Sequence, residues 1–411
     1  MDRMKVGVIL NSRYAPSDGG AYSYYDRLII GIDKYDFETN IEICFLNFTD
    51  TKIDNFKKPI INCSLAKLSN WNKQSRALYK IFLLLNTYFK RFEIAKLLCF
   101  KIQGAIYQKA DKLFLDNKLD LIYFLTQDYV SFNYPYIITH WDLGHKSMFA
   151  FPEVALNGNF EFRDNYHRSV LQKAFAIFAE STAGKDELVY YERINPERIF
   201  LMPMFAGGVV SISITKTEES LILEKYGLKK GKFYFYPAQF WSHKNHINLL
   251  IAFKKVLQQF PDLILVLTGS DKGNLEYVLR KAKEFNIEAS IVFAGFVDLS
   301  SLYTFYKNAI ALVMPTFLGP TNMPLLEAYE LGCKVICSNF AGHVELLKGY
   351  ALYFEANDAE DIYLKMILVF EHSFLETHDI PTLDKALKML NQNLIKLSHY
   401  RKSFGINYDQ K

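Results

Sequence analysis

Short apolar runs alternate with longer amphipathic stretches throughout the second half of the chain. The runs are bounded by turn residues and predict strands at 233–236, 263–268, 291–293, 309–314, 335–337 and 351–354. Between them, helical spacing of apolar residues predicts helices over 247–260, 274–285, 299–307, 324–331 and 358–370. This alternation is typical of an α/β domain in which a parallel sheet is covered on both faces.

The first half begins in the same way and predicts a second domain of the same kind. A strand at 5–10 is followed by the pair Gly19-Gly20 and a helix from about Tyr22, and further strands are predicted at 42–45, 121–125, 136–139, 177–179 and 199–202. The Ser- and Thr-rich segment 209–220 is interpreted as the interdomain connection. We therefore expect an N-terminal domain over 1–208, a C-terminal domain over 221–372 and a helical tail over 373–411.

Composition agrees with two ordinary domains and excludes several other classes. The 411 residues are too many for one core, and a hydrophobic content of 50% excludes a mainly disordered chain. The net charge of +4 does not argue for a nucleic-acid partner. The five cysteines show no metal-binding or disulfide spacing, which favours reduced thiols in the cytoplasm and no metal site. The first residues are interpreted as a strand, not a signal peptide, and no apolar run approaches the ~20 residues of a membrane-spanning helix.

The segment 67–109 is strongly basic and amphipathic. It holds nine Lys or Arg residues against a single acidic residue, interleaved with aromatic side chains at helical spacing. Such a stretch can lie on an anionic membrane surface. The alternative is a helix pair that packs on the core and turns its basic face to solvent, and the sequence favours neither.

The loop after 309–315 carries the first candidate ligand site. Pro324 suits the start of a helix, and the N–H groups of Asn322, Met323 and the residues after Pro324 are then expected to face an anion. Glu327 is expected in the first turn of that helix. Because a carboxylate repels an anion, Glu327 is better suited to an uncharged diol such as ribose, so the loop predicts a nucleotide site.

The loop 236–246 carries the second candidate. His243, Lys244 and His246 are expected to crowd the N-terminus of the next helix, where the helix dipole disfavours cations. An anion would reverse this effect, so Lys244 is predicted to contact a diphosphate. Taken singly, Lys244 could be a surface lysine, and both histidines could be capping residues.

Two weaker candidates lie in the N-terminal half. Asp142 and His145 follow a predicted strand and could act on protons or sugar hydroxyls; alternatively Asp142 caps the next turn, and His140 and His145 are structural. Gly19 and Gly20 allow the backbone to approach a ligand closely. The chain has no motif of a simple dehydrogenase, P-loop protein, zinc peptidase or serine hydrolase.

Taken together, YPAQFWSHKNH, AGFV, GPTNMPLLEA and THWDLGH with FPEV resemble a bacterial surface-polysaccharide branch of glycosyltransferase family 4. The resemblance covers most of 136–359. It implies the GT-B fold, with two Rossmann-like, doubly wound parallel-sheet domains facing each other across a cleft. It also implies a metal-independent reaction without a cofactor that retains anomeric configuration, with a nucleotide-sugar donor held mostly by the C-terminal domain and a tail helix that returns to the N-terminal domain.

The resemblance also assigns roles to residues. Glu327 matches the glutamate that binds ribose, and Lys244 matches the lysine that neutralises the diphosphate. The residues expected to bind the donor are Gly19, Gly20, Gln239, His243, Lys244, Phe296, Val297, Asn322, Met323, Leu325 and Glu327, with Phe296 and Val297 near the base. The residues expected to be catalytic are Asp142, His145 and Lys244.

Three positions depart from the family pattern. Gly319 stands where the first glutamate of the Glu-x7-Glu motif is expected, Gln239 replaces an arginine, and Trp141 replaces a histidine. We therefore make no prediction of contacts between these three residues and the donor sugar.

The expected function is transfer of a hexose, of mannose, rhamnose or glucose type, from a nucleotide-sugar donor to a surface glycan or a lipid-linked acceptor. The alternatives are a nucleotide-sugar 2-epimerase of the same fold and a non-catalytic partner subunit with a degenerate donor site. The expected location is the cytoplasm, at the inner face of the plasma membrane if the basic segment 67–109 meets lipid.

Overall fold

The computed structural model describes residues 3–10, 19–48, 55–63, 110–129, 133–374 and 379–403. The chain divides into two compact units. The first comprises Met1–Pro203 together with Leu383–Lys411, and the second comprises Met204–Thr382. The basic segment 67–109 falls outside the described residues, so the hypothesis of a membrane contact there remains a prediction.

The described part of the first unit holds a parallel sheet with the strand order β3-β2-β1-β4-β5-β6-β7. The strands are β1 (Met4–Leu10), β2 (Ile41–Asn47), β3 (Ile60–Asn62), β4 (Leu121–Phe124), β5 (Tyr136–His140), β6 (Ala176–Ala179) and β7 (Ile199–Leu201). The helices are α1 (Gly20–Lys34), α2 (Asp111–Asp116), α3 (Gly144–Ser147), α4 (Pro152–Ala155), α5 (Asn159–Leu171) and α6 (Thr182–Glu192).

The second unit holds a parallel sheet with the order β10-β9-β8-β11-β12-β13. Its strands are β8 (Phe233–Pro237), β9 (Ile264–Thr268), β10 (Ile291–Gly295), β11 (Leu312–Met314), β12 (Val335–Ser338) and β13 (Ala351–Phe354). Its helices are α7 (Lys216–Lys225), α8 (His246–Gln259), α9 (Leu275–Glu284), α10 (Leu299–Asn308), α11 (Met323–Glu330), α12 (Ala341–Leu347) and α13 (Ala359–Leu368).

Both sheets have the topology of a doubly wound α/β domain. In each, the chain builds outward from a central strand to one edge, then returns and builds outward to the other. The order reverses beside β1 in the first unit and beside β8 in the second. The aromatic residues of β8 are buried without alternation, which is expected for a parallel strand covered on both faces. The predicted fold class is confirmed.

The segment 209–220 is not a free connection, contrary to the sequence interpretation. Val209 is 0% exposed and belongs to the core cluster of the second unit, which also contains Phe305. The segment continues into α7, which starts with a capping box between Thr215 and Glu218. Thr215 is therefore a helix-start signal, and the boundary between the units lies between Pro203 and Met204.

The last described helix, α14 (Leu383–Ser403), packs on the first unit. Leu383 and Leu387 lie so close to Gly31 of α1 that a Cβ there would stand 3.0 Å from Leu387 Cδ1. Asn391 Oδ1 accepts from Glu38 N at 3.1 Å, and Asn393 Nδ2 donates to the carbonyl of Leu201 at 2.8 Å. Apolar packing and polar bonds thus both bind the tail to this unit.

Candidate functional site

Lys244 and Asn322 come together at the carboxyl ends of two neighbouring strands. Lys244 ends a short 3-10 turn that follows β8, and Asn322 precedes α11 after β11. The Lys244 ammonium donates to Asn322 Oδ1 at 3.2 Å. Because β8 and β11 are adjacent where the strand order reverses, this pair lies where doubly wound sheets usually bind ligands.

Asn245 fixes the loop that carries Lys244. Its backbone has a left-handed φ of 58°, a conformation that asparagine tolerates better than most residues. Its buried side-chain amide donates to the carbonyls of Pro315 at 2.9 Å and Ala356 at 2.6 Å. Asn245 therefore ties the β8 loop to the β11 and β13 loops and limits where Lys244 can lie.

Glu327 is in the second turn of α11, so its predicted place in the first turn is wrong. The helix begins at Met323, which makes Glu327 its fifth residue, and 3.6 residues complete one turn. Glu327 is 6% exposed, and Tyr306 donates its hydroxyl proton to Glu327 Oε2 at 2.7 Å. This bond orients the carboxylate.

The first turn of α11 supplies fewer amides to an anion than predicted. The Leu325 N–H donates to the Asn322 carbonyl at 3.0 Å, in the tight hydrogen-bonding pattern that often closes a first turn. Pro324 has no N–H. Among the described residues, the Asn322 and Met323 amides have no hydrogen-bond partner, so these two remain to bind an anion.

Gly319 adopts a backbone conformation that a glutamate would resist. Its φ is +108°, and a Cβ there would stand 2.9 Å from Asn322 Nδ2 and 3.1 Å from the Thr321 carbonyl oxygen. The family glutamate therefore does not fit this loop without displacing Asn322.

His343, which the sequence did not single out, lies close to the pair formed by Lys244 and Asn322. It lies on α12, is 0% exposed, and its ring contacts Asn322 Nδ2 through Nε2 at 3.0 Å. Burial lowers the pKa of His343 to about 4, so the ring is neutral at pH 7. No spacing links it to Asn322, since 21 residues separate them.

His246 is not a surface cation, so the predicted crowding of three cations at α8 is wrong. Its ring is 1% exposed and stacks on Phe240 with ring centroids 4.7 Å apart. Burial, together with the positive charge of Lys244, lowers the pKa of His246 to about 3. The ring is therefore neutral, and the anion argument depends on Lys244.

Replacing His246 should make the protein less sensitive to acid. Its folded pKa of about 3 lies below the unfolded value near 6.5, so the unfolded chain binds more protons between these values and stability falls as pH drops through this window. At pH 5, this difference should have lowered the free energy of unfolding by roughly 1–2 kcal/mol relative to pH 7. In His246→Leu, the melting temperature should fall less between pH 7 and pH 5 than in wild type. The exposed His399→Leu serves as the control, and an equal acid loss in both variants would contradict the prediction.

The remaining C-terminal candidates lie in the same domain. Gln239 Oε1 accepts from the Trp241 indole at 3.1 Å, and the His243 carbonyl accepts from the Phe317 amide at 2.8 Å. Phe296 is 58% exposed just beyond β10, and Val297 beside it is half-buried. An exposed ring at this edge is available for stacking on a base, but in the described ranges no contact joins it to Lys244.

The Asp142 carboxylate is held by a charged side chain and by a backbone amide. Its Oδ1 accepts from the Gly144 amide at 2.9 Å and from Arg163 Nη2 at 3.1 Å. Burial alone would raise the pKa of Asp142, but the Arg163 guanidinium and the Gly144 N–H hold it well below its usual range. Asp142 is thus an ionised acceptor that orders the start of α3.

His145 is buried in a cluster of histidines. The His145 ring stacks on the His167 ring with centroids 5.1 Å apart. The His140 ring packs edge-on against the same His167 ring, with centroids 5.2 Å apart. Neither His145 nitrogen has a hydrogen-bond partner in the described part of the chain, and burial lowers its pKa to about 3. This geometry supports packing, and a catalytic role for His145 stays a prediction.

Gly19 is the N-cap of α1, and Gly20 is the first residue of this helix. Gly19 has a φ of 68°, which glycine adopts without strain. Gly20 is exposed, and a Cβ there would meet nothing within 4 Å. Only Gly19 is therefore required by the backbone itself.

The geometry of the second unit agrees with a match to a known family. Residues 219–381 match the sequence profile of the family described as glycosyl transferases group 1. This match covers most of the second unit and less than half of the chain. Lys244, Asn322, Glu327 and His343 all lie inside the matched residues, whereas Asp142 and His145 lie outside them.

Several curated proteins to which the chain is similar are named as mannosyltransferases of Escherichia coli. The chain is 25% identical over 215 residues to the serotype-specific mannosyltransferase WbdA of Escherichia coli, a match that covers 50% of this chain and 26% of the relative. It is 23% identical over 220 residues to O-antigen chain mannosyltransferase B of Escherichia coli, covering 53% of this chain and 57% of the relative. The match thus spans about a quarter of WbdA.

Solved structures extend the likeness to both units. A glycosyltransferase from Rickettsia africae ESF-5 has a TM-score of 0.59 at 14% identity and covers 97% of this chain and 99% of its own. Anabaena Alr3699/HepE, solved in complex with UDP and glucose, has a TM-score of 0.57 at 13% identity, with 98% of each chain covered. At these identities the likeness shows the fold, which is GT-B.

The described residues also allow a search for metal sites, disulfides and membrane-spanning helices. They contain no cluster of three or more His, Cys, Asp or Glu side chains arranged for a metal ion. Cys44, Cys63, Cys333 and Cys337 are buried free thiols. No helix in the described ranges is both long and apolar enough to cross a membrane.

Proposed function

We propose that this chain is a retaining, metal-independent glycosyltransferase that moves a hexose from a nucleotide-sugar donor to a glycan or lipid-linked acceptor. The observation that carries the proposal is the juxtaposition of Lys244 and the N-terminus of α11 where the strand order reverses. A cation, two amides and a helix N-terminus meet there, within the residues that match the glycosyl transferase family.

The donor diphosphate fits this end of the sheet. Lys244 supplies a positive charge, and the Asn322 and Met323 amides supply hydrogen-bond donors beside the positive end of the α11 dipole. When the glycosidic bond breaks, the departing nucleoside diphosphate gains negative charge. Groups already in place stabilise that charge without reorganising, and one such donor contributes about 3–4 kcal/mol in comparable anion sites.

Glu327 is suited to the ribose of the same donor. Tyr306 fixes one carboxylate oxygen from within the protein, and an ionised carboxylate is an acceptor suited to vicinal hydroxyls. Glu327 lies in the turn after the amides, so phosphate and ribose are received by successive turns of one helix. Phe296, exposed beyond β10, would stack on the base.

The sugar and the acceptor are proposed from the relatives. Because WbdA and O-antigen chain mannosyltransferase B are named as mannosyltransferases, mannose is the first hexose to test. The acceptor would be a growing surface glycan at the cytoplasmic face of the membrane, approached through the basic segment 67–109. Cosedimentation with anionic liposomes at low salt tests this attachment.

A donor screen tests the function. The protein is incubated with GDP-mannose, dTDP-rhamnose and UDP-glucose, and release of nucleoside diphosphate is measured with and without lipid-linked acceptors and with EDTA. Release from one donor, undiminished by EDTA, and an α-linked product from an α-linked donor support the proposal. Absence of release and of calorimetric binding for all donors would reject it.

Glu327→Gln should weaken donor use while preserving the fold. The amide keeps the size of the side chain and an oxygen for Tyr306 but loses the charge that strengthens hydrogen bonds to hydroxyls. Hydrogen bonds to charged groups contribute about 1.5–3 kcal/mol, so the donor KM should rise about tenfold to hundredfold. The measurement is initial rate against donor concentration, with exposed Glu276→Gln as the matched control. An unchanged KM in Glu327→Gln would remove Glu327 from the site.

A further inference from the structure

An unbroken series of hydrogen bonds joins the end of β12 to the ammonium group of Lys244. His343 Nδ1 lies 2.8 Å from the Ser338 carbonyl oxygen, and His343 Nε2 lies 3.0 Å from Asn322 Nδ2. Asn322 Oδ1 in turn accepts from Lys244 Nζ at 3.2 Å. One end of this series is the last residue of β12, and the other lies in the loop after β8, at the carboxyl ends of the same sheet.

The chemistry of the end groups dictates the direction of every bond. A carbonyl oxygen can only accept, so His343 Nδ1 must carry the proton. A neutral imidazole then has a bare Nε2, which can only accept and therefore takes a proton from the Asn322 amide nitrogen. The Asn322 oxygen is consequently turned toward Lys244, whose ammonium can only donate.

Packing leaves this arrangement little freedom. His343 is 0% exposed, so water does not replace either of its bonds. Gly342 lets α12 approach the β11 loop, because a Cβ at that position would stand 1.5 Å from the Pro320 carbonyl oxygen. Gly319 has no side chain to compete for the space that the Asn322 amide occupies.

We propose that His343 is a positioning residue of the donor site: it fixes the orientation of the Asn322 amide and thereby the place of the Lys244 ammonium. If the amide turned over, Asn322 Nδ2 would face Lys244 Nζ, and two hydrogen-bond donors would repel. The inference rests on the proposed function in so far as Lys244 serves a diphosphate. Before the donor arrives, Asn322 would hold the ammonium beside the amides of α11.

Two substitutions separate this role from simple anchoring of α12. In His343→Gln, the side-chain oxygen can take the place of Nε2 and accept from Asn322, while the bond to Ser338 is lost. In His343→Asn, the shorter amide can take the place of Nδ1 and keep Ser338, while the bond to Asn322 is lost. If His343 positions Asn322, His343→Gln should be the more active variant. If His343 only anchors α12, His343→Asn should be the more active variant.

The kinetic test measures kcat/KM for the donor identified in the screen. His343→Gln should stay within about fivefold of wild type, and His343→Asn should fall at least tenfold, because one hydrogen bond to a charged network is lost. In an Asn322→Gly background, His343→Asn should cost little more, since the link it breaks is already absent. The reverse order of the two variants, or additive losses, would overturn the inference.

A second measurement does not depend on turnover. Nitrogen-15 NMR of the free protein should show His343 protonated at Nδ1 and bare at Nε2, and Asn322→Gly should shift the Nε2 signal. The Lys244 side-chain resonances should move in His343→Asn and stay in place in His343→Gln. If neither variant moves them, the inference is wrong whatever the enzyme transfers. If they move as expected and no donor is used, the positioning stands and the proposed function is wrong.

Discussion

Lys244→Ala is expected to lower the proposed hexose transfer by about a hundredfold to a thousandfold, the usual loss when one preorganised donor is removed from an anion site. Lys244 is the cation that meets the start of α11, and both buried histidines nearby, His246 and His343, are neutral at pH 7. The loss should appear in kcat as well as in kcat/KM, because the charge of the leaving group grows during the reaction. Steady-state kinetics over a range of donor concentrations measures both.

Lys283→Ala is the matched control for this prediction. It removes the same ammonium from an exposed position on α9 in the same domain. Urea unfolding should give nearly the same free energy for both variants, which separates loss of charge from loss of fold. Wild-type turnover by Lys244→Ala would exclude Lys244 from the reaction and with it the proposed diphosphate site.

Gly342→Ala is expected to damage both stability and transfer, although it adds a single methyl group. The new Cβ would stand 1.5 Å from the Pro320 carbonyl oxygen and 2.5 Å from its carbon, so the backbone of the β11 loop or of α12 must move. Overpacking of this kind costs about 1–3 kcal/mol of unfolding free energy. Displacement of the loop would also separate His343 from Asn322, so transfer should fall at least tenfold.

Gly208→Ala is the control for Gly342→Ala, because it adds the same methyl group at the start of another short helical turn. The Cβ at Gly208 would meet Leu299 Cδ1 at 3.8 Å, an ordinary van der Waals distance. Chemical denaturation and the transfer assay should therefore leave Gly208→Ala close to wild type. If the two alanine variants were equally stable and active, the close approach of α12 to the loop would be wrong.

The sequence predicted the framework of this fold because its signals are local. The predicted strands 233–236, 291–293 and 335–337 lie within β8, β10 and β12, and the predicted strand 263–268 ends where β9 ends. The position of Lys244 after one strand and of Asn322 after another also followed from local pattern. Since parallel strands present their carboxyl ends at one edge, these two loops could be expected to converge.

The errors arose where a residue's environment is set by distant parts of the chain. His246 resembled a surface cation in sequence, but Phe240 and the folded core around it make it a neutral buried ring. Val209 lay in a polar stretch, but the second unit buries it completely. His343 meets Asn322 only after β12 and α12 have taken their places, and no sequence spacing encodes that contact.

The return of α14 to the first unit has a consequence for the order in which the two domains can be completed. Met1–Pro203 is contiguous in sequence but not whole, because Leu383 and Leu387 cover Gly31 and Asn391 binds Glu38. Domains usually fold in the order in which they are synthesised. Here Met204–Thr382 is one uninterrupted stretch whose residues are all synthesised before α14, whereas the domain translated before it still lacks its last helix at that point.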